Sequence, residues 1–165
     1  MILFDTRNQK DIFISEPLTK FGLPTDRTKL PFGDIATADN ILNAVDIKSA
    51  KNGLQELAGN ICSVDHNRLK REIEKCAEYG GKLTFLVIHP YITKIDEVCK
   101  WESEVYKFGA RKGQPFTRVK GETLMKAMKT MSEPNRYGCE VKFEFATKGT
   151  AWQKVLEILH IDVVE

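Results

Sequence analysis

Apolar residues along this 165-residue chain fall into two rhythms, one alternating or unbroken and one of period about 3.6, and the two take turns. Met1 to Asp5 is a short apolar run ending in a carboxylate, the pattern of a buried strand that delivers a polar group at its carboxyl end. Asn8 to Phe32 keeps no period and is cut by Pro17, Pro24 and Pro31 with Gly22. It reads as a long connection holding at most a short helix or strand around Ile12 to Phe21. Asp34 to Ala38 and Leu42 to Lys48 form a predicted hairpin about a turn at Asp39-Asn40, residues that tolerate the left-handed conformation. Leu54, Leu57, Ala58 and Ile61 then mark one face of a helix, for which Asn52 and Gln55 have capping-box spacing.

Asp65 is placed to cap a second helix with the buried stripe Leu69, Ile73, Cys76 and Ala77. Gly80-Gly81 ends it, and Lys82 to His89 is nearly continuous apolar, which predicts a central strand buried on both faces. A helix from about Ile95 to Phe108, capped from Thr93, is expected on Ile95, Val98, Cys99 and Val105. Gly121 to Glu133 follows as a helix with Leu124, Ala127, Met128 and Met131 inward, stopped by Pro134. Glu140 to Phe145 alternates Val141, Phe143 and Phe145 with charges, as a half-exposed or edge strand does. The last helix carries Trp152, Val155, Leu156 and Leu159 on one face, with Thr150 and Gln153 at its start. The order of elements describes an α/β protein layered around one central sheet, in a single domain over residues 1–165.

Composition, 42% hydrophobic and 29% charged, is that of a globular domain. The chain holds no apolar run long enough to span a bilayer, and Met-Ile-Leu-Phe-Asp is too short and acid-ended for a signal peptide. No membrane partner and a cytoplasmic location are expected. Cys62, Cys76, Cys99 and Cys139 lack close spacing and read as reduced core thiols. His66, His89 and His160 show no ligand spacing, although His89 ends the presumed central strand. A net charge of only +2 means that any nucleic-acid affinity must come from local clusters. Two are visible: Arg68, Lys70 and Arg71 opening the second helix, and Arg111, Lys112, Arg118 and Lys120 around Phe116. Each is either DNA-contacting surface or a solvated face.

Candidate chemistry concentrates between Leu30 and Gly53. Alternation puts Asp46 and Lys48 on one face of a strand and Ile47 on the other, and the hairpin brings Asp34 beside them. Two carboxylates and a lysine on one face can hold a divalent metal next to a phosphate. Hard oxygen donors suit Mg²⁺ or Mn²⁺. Asp34 and Asp46 are therefore candidate metal ligands, with the Ile47 carbonyl as a third. Asp5 is either a further acidic contact or simply a partner for Arg7.

These residues resemble the signature of the XPF-type structure-specific endonucleases of the PD-(D/E)XK superfamily: a Gly-Asp, a short hairpin, then Glu-Arg-Lys-x-x-x-Asp. Here the signature reads Gly33-Asp34, Asp46 for Glu, Ile47 for Arg, Lys48, and Asn52 for the last Asp. The opening Ile2-Leu3-Phe4-Asp5-Thr6-Arg7 is similar to the family's Asp-x-Arg-Glu strand end, with Asn8 where the Glu falls. The resemblance implies a restriction-endonuclease-like three-layer sandwich with a central mixed sheet. It makes Asp5, Asp34, Asp46 and Lys48 the catalytic set, with Lys48 orienting water or stabilising the phosphate, and it matches Arg68 and Glu72 to an early Arg and acid of the second helix. Arg7, Arg68, Arg111, Lys112, Arg118 and Lys120 are the expected DNA contacts, and Asn8, Asn52 and Glu72 flank the metal ligands.

The implied partners are branched or flapped DNA and a second copy of the chain. Val141, Phe143, Trp152, Leu156, Ile161 and Val163 supply apolar surface for that homodimer. With no room for the family's helix-hairpin-helix domain, a stand-alone bacterial or phage form is expected. Asn8 and Asn52 each delete a charge, and Ile47 removes a phosphate-binding cation. A pseudo-nuclease that binds DNA or a partner protein is therefore the competing expectation.

Overall fold

The computed structural model describes residues 1–8, 10–49, 52–62 and 66–163. Its strands are β1 (Ile2–Asp5), β2 (Thr25–Thr28), β3 (Ile35–Thr37), β4 (Asn40–Lys48), β5 (Lys82–Ile88) and β6 (Glu140–Ala146). Its helices are α1 (Ile12–Lys20), α2 (Leu54–Cys62), α3 (His66–Glu78), α4 (Gly121–Met131) and α5 (Ala151–Ile158), with a 3₁₀ turn at Ile95–Lys100. The six strands form one mixed sheet in the order β2-β1-β3-β4-β5-β6. β3 is antiparallel to both β1 and β4, whereas β4, β5 and β6 run parallel.

Alternation along β4 sorts its side chains between two helical layers. Val45 and Ile47 join the core that α1 and α5 cover through Ile14, Leu18, Val155 and Leu156. Ala44 faces the opposite layer with Leu69, Ile73 and Cys76 of α3. Asp46 and Lys48 continue Ala44's side, so their polar ends emerge where α2 and α3 leave the sheet edge uncovered. β5 is buried from Leu83 to Ile88, which is why it reads as an unbroken apolar run.

Several local expectations fail for identifiable reasons. The helix expected from Ile95 to Phe108 is a 3₁₀ turn that stops at Lys100. Ile95, Val98 and Trp101 recur every third residue, the period of that tighter helix, and Val105 is 46% exposed rather than inward. β2, with the sequence Thr-Asp-Arg-Thr, is an exposed edge strand parallel to β1 and carries no apolar alternation to reveal it. The β3–β4 turn has neither Asp39 nor Asn40 in the left-handed region; Thr37 Oγ1 instead accepts from the Asn40 N–H. Asn52 and Gln55 do not form a capping box, because both side chains bind the 103–104 segment. Thr150 makes no side-chain cap to α5, its hydroxyl pairing with that of Thr147. Asp65, the expected cap of α3, lies outside the described residues.

Of the four cysteines only Cys76 is buried; Cys62 and Cys99 are exposed and Cys139 is intermediate, all as thiols. The apolar side chains assigned to a homodimer all pack within one chain, two of them buried and four partly exposed. Val141 and Leu156 are buried, Phe143 stacks on Phe85 at 5.3 Å, and Trp152 packs on Phe21 at 5.6 Å. Ile161 and Val163 are partly buried against the same core. Among the described residues no helix is long and apolar enough to cross a membrane.

Gly53 seats α2 against the carboxyl ends of β4 and β5. Its φ is +63°, and a Cβ there would collide with the Lys48 carbonyl and lie 2.9 Å from that of Ile88. Gly53→Ala should therefore cost at least about 2 kcal/mol and lower the melting temperature by roughly 4–8 °C. Gly22→Ala, also at positive φ but in open space, should cost about 1 kcal/mol or less. Thermal unfolding of the two variants compares them directly.

Candidate active site

At the carboxyl end of β4 a cleft of about 640 Å³ opens between the β3–β4 hairpin and helix α3. Gly33 starts the hairpin with φ +75° where a Cβ would meet that of Ala44 at 2.6 Å, so only glycine lets the chain pass this close to β4. Its N–H donates to the Glu72 carboxylate on α3, which ties the hairpin to the helix wall. Asp34 follows and is clamped by its backbone, donating to the Val45 carbonyl at 2.7 Å and accepting from the Asp5 N–H at 2.8 Å. Its Oδ2 accepts from the Ile47 N–H at 2.7 Å, and Asn8 lines the same cleft.

Asp46 and Lys48, both buried, form an ion pair with Nζ 3.4 Å from Oδ1. Glu56 of α2 lies 4.0 Å from the same Nζ. The floor thus gathers three carboxylates around one ammonium. Burial, then the nearby Asp46 charge, pushes the Asp34 carboxyl well above its usual range, against the opposing pull of the Ile47 N–H, Asn8 and Lys48. Burial also raises Asp46, with Lys48 opposing and Glu56 reinforcing the rise. Burial alone would lower Lys48, but Asp46, Glu56 and Asp34 outweigh it and hold the ammonium above the ordinary lysine value. The pocket is therefore short of positive charge at its floor.

Asp5 also lines the cleft, but its carboxylate is taken up by Arg7. Arg7 grips it with Nε 2.9 Å from Oδ1 and Nη2 on Oδ2, and the Leu30 N–H reaches Oδ2 at 3.3 Å. The ion pair outweighs burial and holds the Asp5 carboxyl below its usual value. Of the two readings left open for Asp5, the geometry adopts the partner of Arg7. Among the described residues no three His, Cys, Asp or Glu side chains converge to hold a metal. Asp34 and Asp46 nonetheless fit a divalent cation as two hard oxygen donors, since a cation between them would relieve the repulsion and burial that now disfavour their charges. Asp5 does not fit that set.

The cleft wall is basic. Arg68, Arg71 and Lys75 lie three and four residues apart on one face of α3, with Arg7 and Lys10 opposite. Arg68 faces the cleft as expected of a groove residue. Glu56, Lys10 and Lys75 were absent from the expected set, and Arg71 stood there only as a member of the basic cluster opening the helix; the spacing of the three α3 cations along one face was the signal available. Asn8 and Glu72 line the cleft, but Asn52 does not: it takes φ +66° and donates to Glu104 Oε1 at 3.1 Å. Arg111, Lys112, Arg118 and Lys120 sit away from the cleft lining, on and after a separate hairpin. His89 accepts from the Ile92 N–H at 3.1 Å and is 3% exposed, so it braces a turn outside the cleft.

The mixed sheet and its flanking helices make this an α/β fold, and it is like that of a solved XPF protein. The solved structure of XPF from Aeropyrum pernix superposes with a TM-score of 0.60 at 17% identity, covering 99% of this chain. The chain spans 62% of the length of that protein. At this identity the likeness is one of fold. No protein-family model matches the chain, and no curated protein does.

The raised Asp34 value fixes the sign of a pH effect. Between its unfolded value near 4 and its higher folded value the native chain binds more protons, so stability falls as pH rises through the folded value. Asp34→Asn keeps an acceptor for the Ile47 N–H and removes the charge. In chelator, its melting temperature should exceed that of the native chain by roughly 2–6 °C near about pH 8, the gap closing toward about pH 4. Calorimetry across that range checks it.

Proposed function

We propose that the chain is a divalent-metal-dependent endodeoxyribonuclease that hydrolyses phosphodiester bonds in branched or flapped DNA. The observation that carries this reading is the acidic floor of Asp34, Asp46 and Glu56 around a charged Lys48, beneath a wall of Arg7, Arg68, Arg71 and Lys75. The wall suits a polyanionic backbone, and guanidinium groups bind phosphate through paired N–H donors. Asp34 and Asp46, with the Ile47 carbonyl, would hold Mg²⁺ or Mn²⁺, which when bound lowers the pKa of water and neutralises charge on the phosphate.

The remaining chemistry belongs to the chain's own groups. Lys48, kept protonated by its acidic neighbours, donates from Nζ to a phosphate oxygen or to the attacking water and does not accept a proton there. The Ile47 N–H orients the Asp34 carboxyl, with Asn8 beside it in the cleft. Asp5 aims Arg7, whose side chain is 47% exposed, and Glu72 locks the hairpin in place. The same proposal includes membership of the PD-(D/E)XK superfamily and a cytoplasmic role in a bacterial or phage-infected cell. It includes pairing of two copies, supported now by the family resemblance alone.

A second reading, a DNA-binding or partner-binding pseudo-nuclease, is favoured because Glu56 reaches Lys48 rather than joining Asp34 and Asp46, so that among the described residues no three acids are grouped to hold a metal. Cleavage of labelled duplex, 3′-flap, fork and four-way-junction DNA separates the two. Cutting should require metal, exceed duplex cutting on branched DNA, and be stronger in Mn²⁺ than in Mg²⁺. Asp46→Asn and Lys48→Ala should each lower it about 100-fold or more. Binding without cutting in any metal would establish the pseudo-nuclease. Equal or greater cutting in Mg²⁺ would contradict the weakened metal site.

A further inference from the structure

The most exposed large apolar side chain among the described residues stands at the end of a built hairpin. Phe108 is 86% exposed. The hairpin closes through a Val105–Pro115 bridge, with N–H donations from Tyr106 to Gln114, Gly113 to Tyr106 and Phe116 to Glu104 at 2.8–2.9 Å. Its tip turns on Gly109 and Gly113, both at φ +83° with open space around them. Tyr106 and Phe116 pack edge to face at 4.5 Å beneath the tip, and Arg111 lies over the Tyr106 ring at 6.0 Å. The shape is therefore held by bonds and rings of its own, while the tip faces solvent.

Charge says what it meets. From Val105 to Lys120 the chain carries Lys107, Arg111, Lys112, Arg118 and Lys120 and no Asp or Glu, in a protein whose net charge is +2. Position says where. Gln55, 6% exposed, accepts from the Glu104 N–H at 2.8 Å and from Ser103 Oγ at 3.3 Å, and Asn52 donates to Glu104. The next residue of α2 is Glu56, which reaches Lys48. The foot of the hairpin is thus bolted one residue from the catalytic floor, by the two side chains expected to cap α2.

We propose that this hairpin is a branch-point wedge: its cations hold the DNA backbone and Phe108 stacks on an unpaired or terminal base where the duplex opens. Aromatic rings stack on any base without reading sequence, and apolar wedges unstack base steps that can part. This deepens the nuclease reading and rests on its DNA substrate, naming the feature that would select branched over linear DNA.

The test measures binding in EDTA, where nothing is cut. Fork and linear duplex DNA carrying a fluorescent base analogue at the junction position are titrated with the native chain, Phe108→Ala, Phe108→Trp and the triple change of Lys107, Arg111 and Lys112 to Gln. Phe108→Ala should weaken fork binding about tenfold, abolish the base-analogue signal and leave duplex binding within about twofold. Phe108→Trp should retain both, and neither should shift the melting temperature by more than about 2 °C. The triple change should weaken fork and duplex alike and flatten the salt dependence.

Unchanged fork binding in Phe108→Ala, or an equal loss on duplex, overturns the wedge. So does conversion of a dimer to a monomer by Phe108→Ala with DNA binding intact, which would make the tip a protein contact. Wedge-dependent fork binding by a chain that never cuts keeps the inference and removes the nuclease reading. Metal-dependent cutting of forks indifferent to Phe108 does the reverse.

Discussion

The structure turns on one electrostatic constraint: Asp34 and Asp46 are held at the end of β4 with too little water and too little positive charge to stay comfortably ionised. Lys48 answers part of that charge, and Glu56 adds to it. Buried charges usually persist only when paired, and a cluster left under-compensated stores free energy that a cation would release. The surrounding fold is what keeps the cluster from relaxing. The Ile47 N–H, the Val45 carbonyl and the Asp5 N–H pin Asp34, and Glu72 pins the hairpin ahead of it. Tuned carboxylates in a cleft mark sites of chemistry more often than sites of stability.

Each neighbouring element serves that constraint in a different way. β4 supplies two of the charged groups because strand alternation places residues 46 and 48 on one face, while Ile47 packs into the opposite core and anchors them. α2 enters over Gly53, close enough to the ends of β4 and β5 to bring Glu56 to Lys48. α3 turns its Glu72 to the Gly33 N–H and sets three cations along one side of the cleft. Asp5 gives its charge to Arg7, which turns a candidate ligand into a support for the half-exposed guanidinium beside it. The arrangement is an acidic floor beneath a basic wall, the division that the proposed metal and DNA backbone would use.

The layered α/β fold and the Asp34, Asp46, Lys48 constellation were legible in the sequence because both depend on local period and on one short hairpin. β4 and β5 carry unambiguous apolar patterns, and Gly33-Asp34 marks the tight approach that brings the second carboxylate over. What was not legible depends on contacts between distant segments. Glu56 and Lys75 gain meaning only once α2 and α3 are docked, and the sequence offered a partnership of Asp5 with Arg7 without choosing it over an acidic contact. The apolar spacing from Ile95 to Phe108 suggests one helix, whereas the chain leaves its 3₁₀ turn at Lys100 and continues into a hairpin. Gln55 and Asn52, read as helix caps, are the bolts of its hairpin, a use that only tertiary geometry reveals.

The claim on which everything else rests is that Asp34 and Asp46 form one cation site. Titration of the native chain with Mn²⁺, followed by the loss of its free-ion paramagnetic resonance signal, tests it without DNA or turnover. The account predicts one saturable Mn²⁺ per chain, displaced by Mg²⁺ and lost in Asp46→Asn. Absence of saturable binding at millimolar metal, or binding that survives Asp46→Asn unchanged, would contradict it.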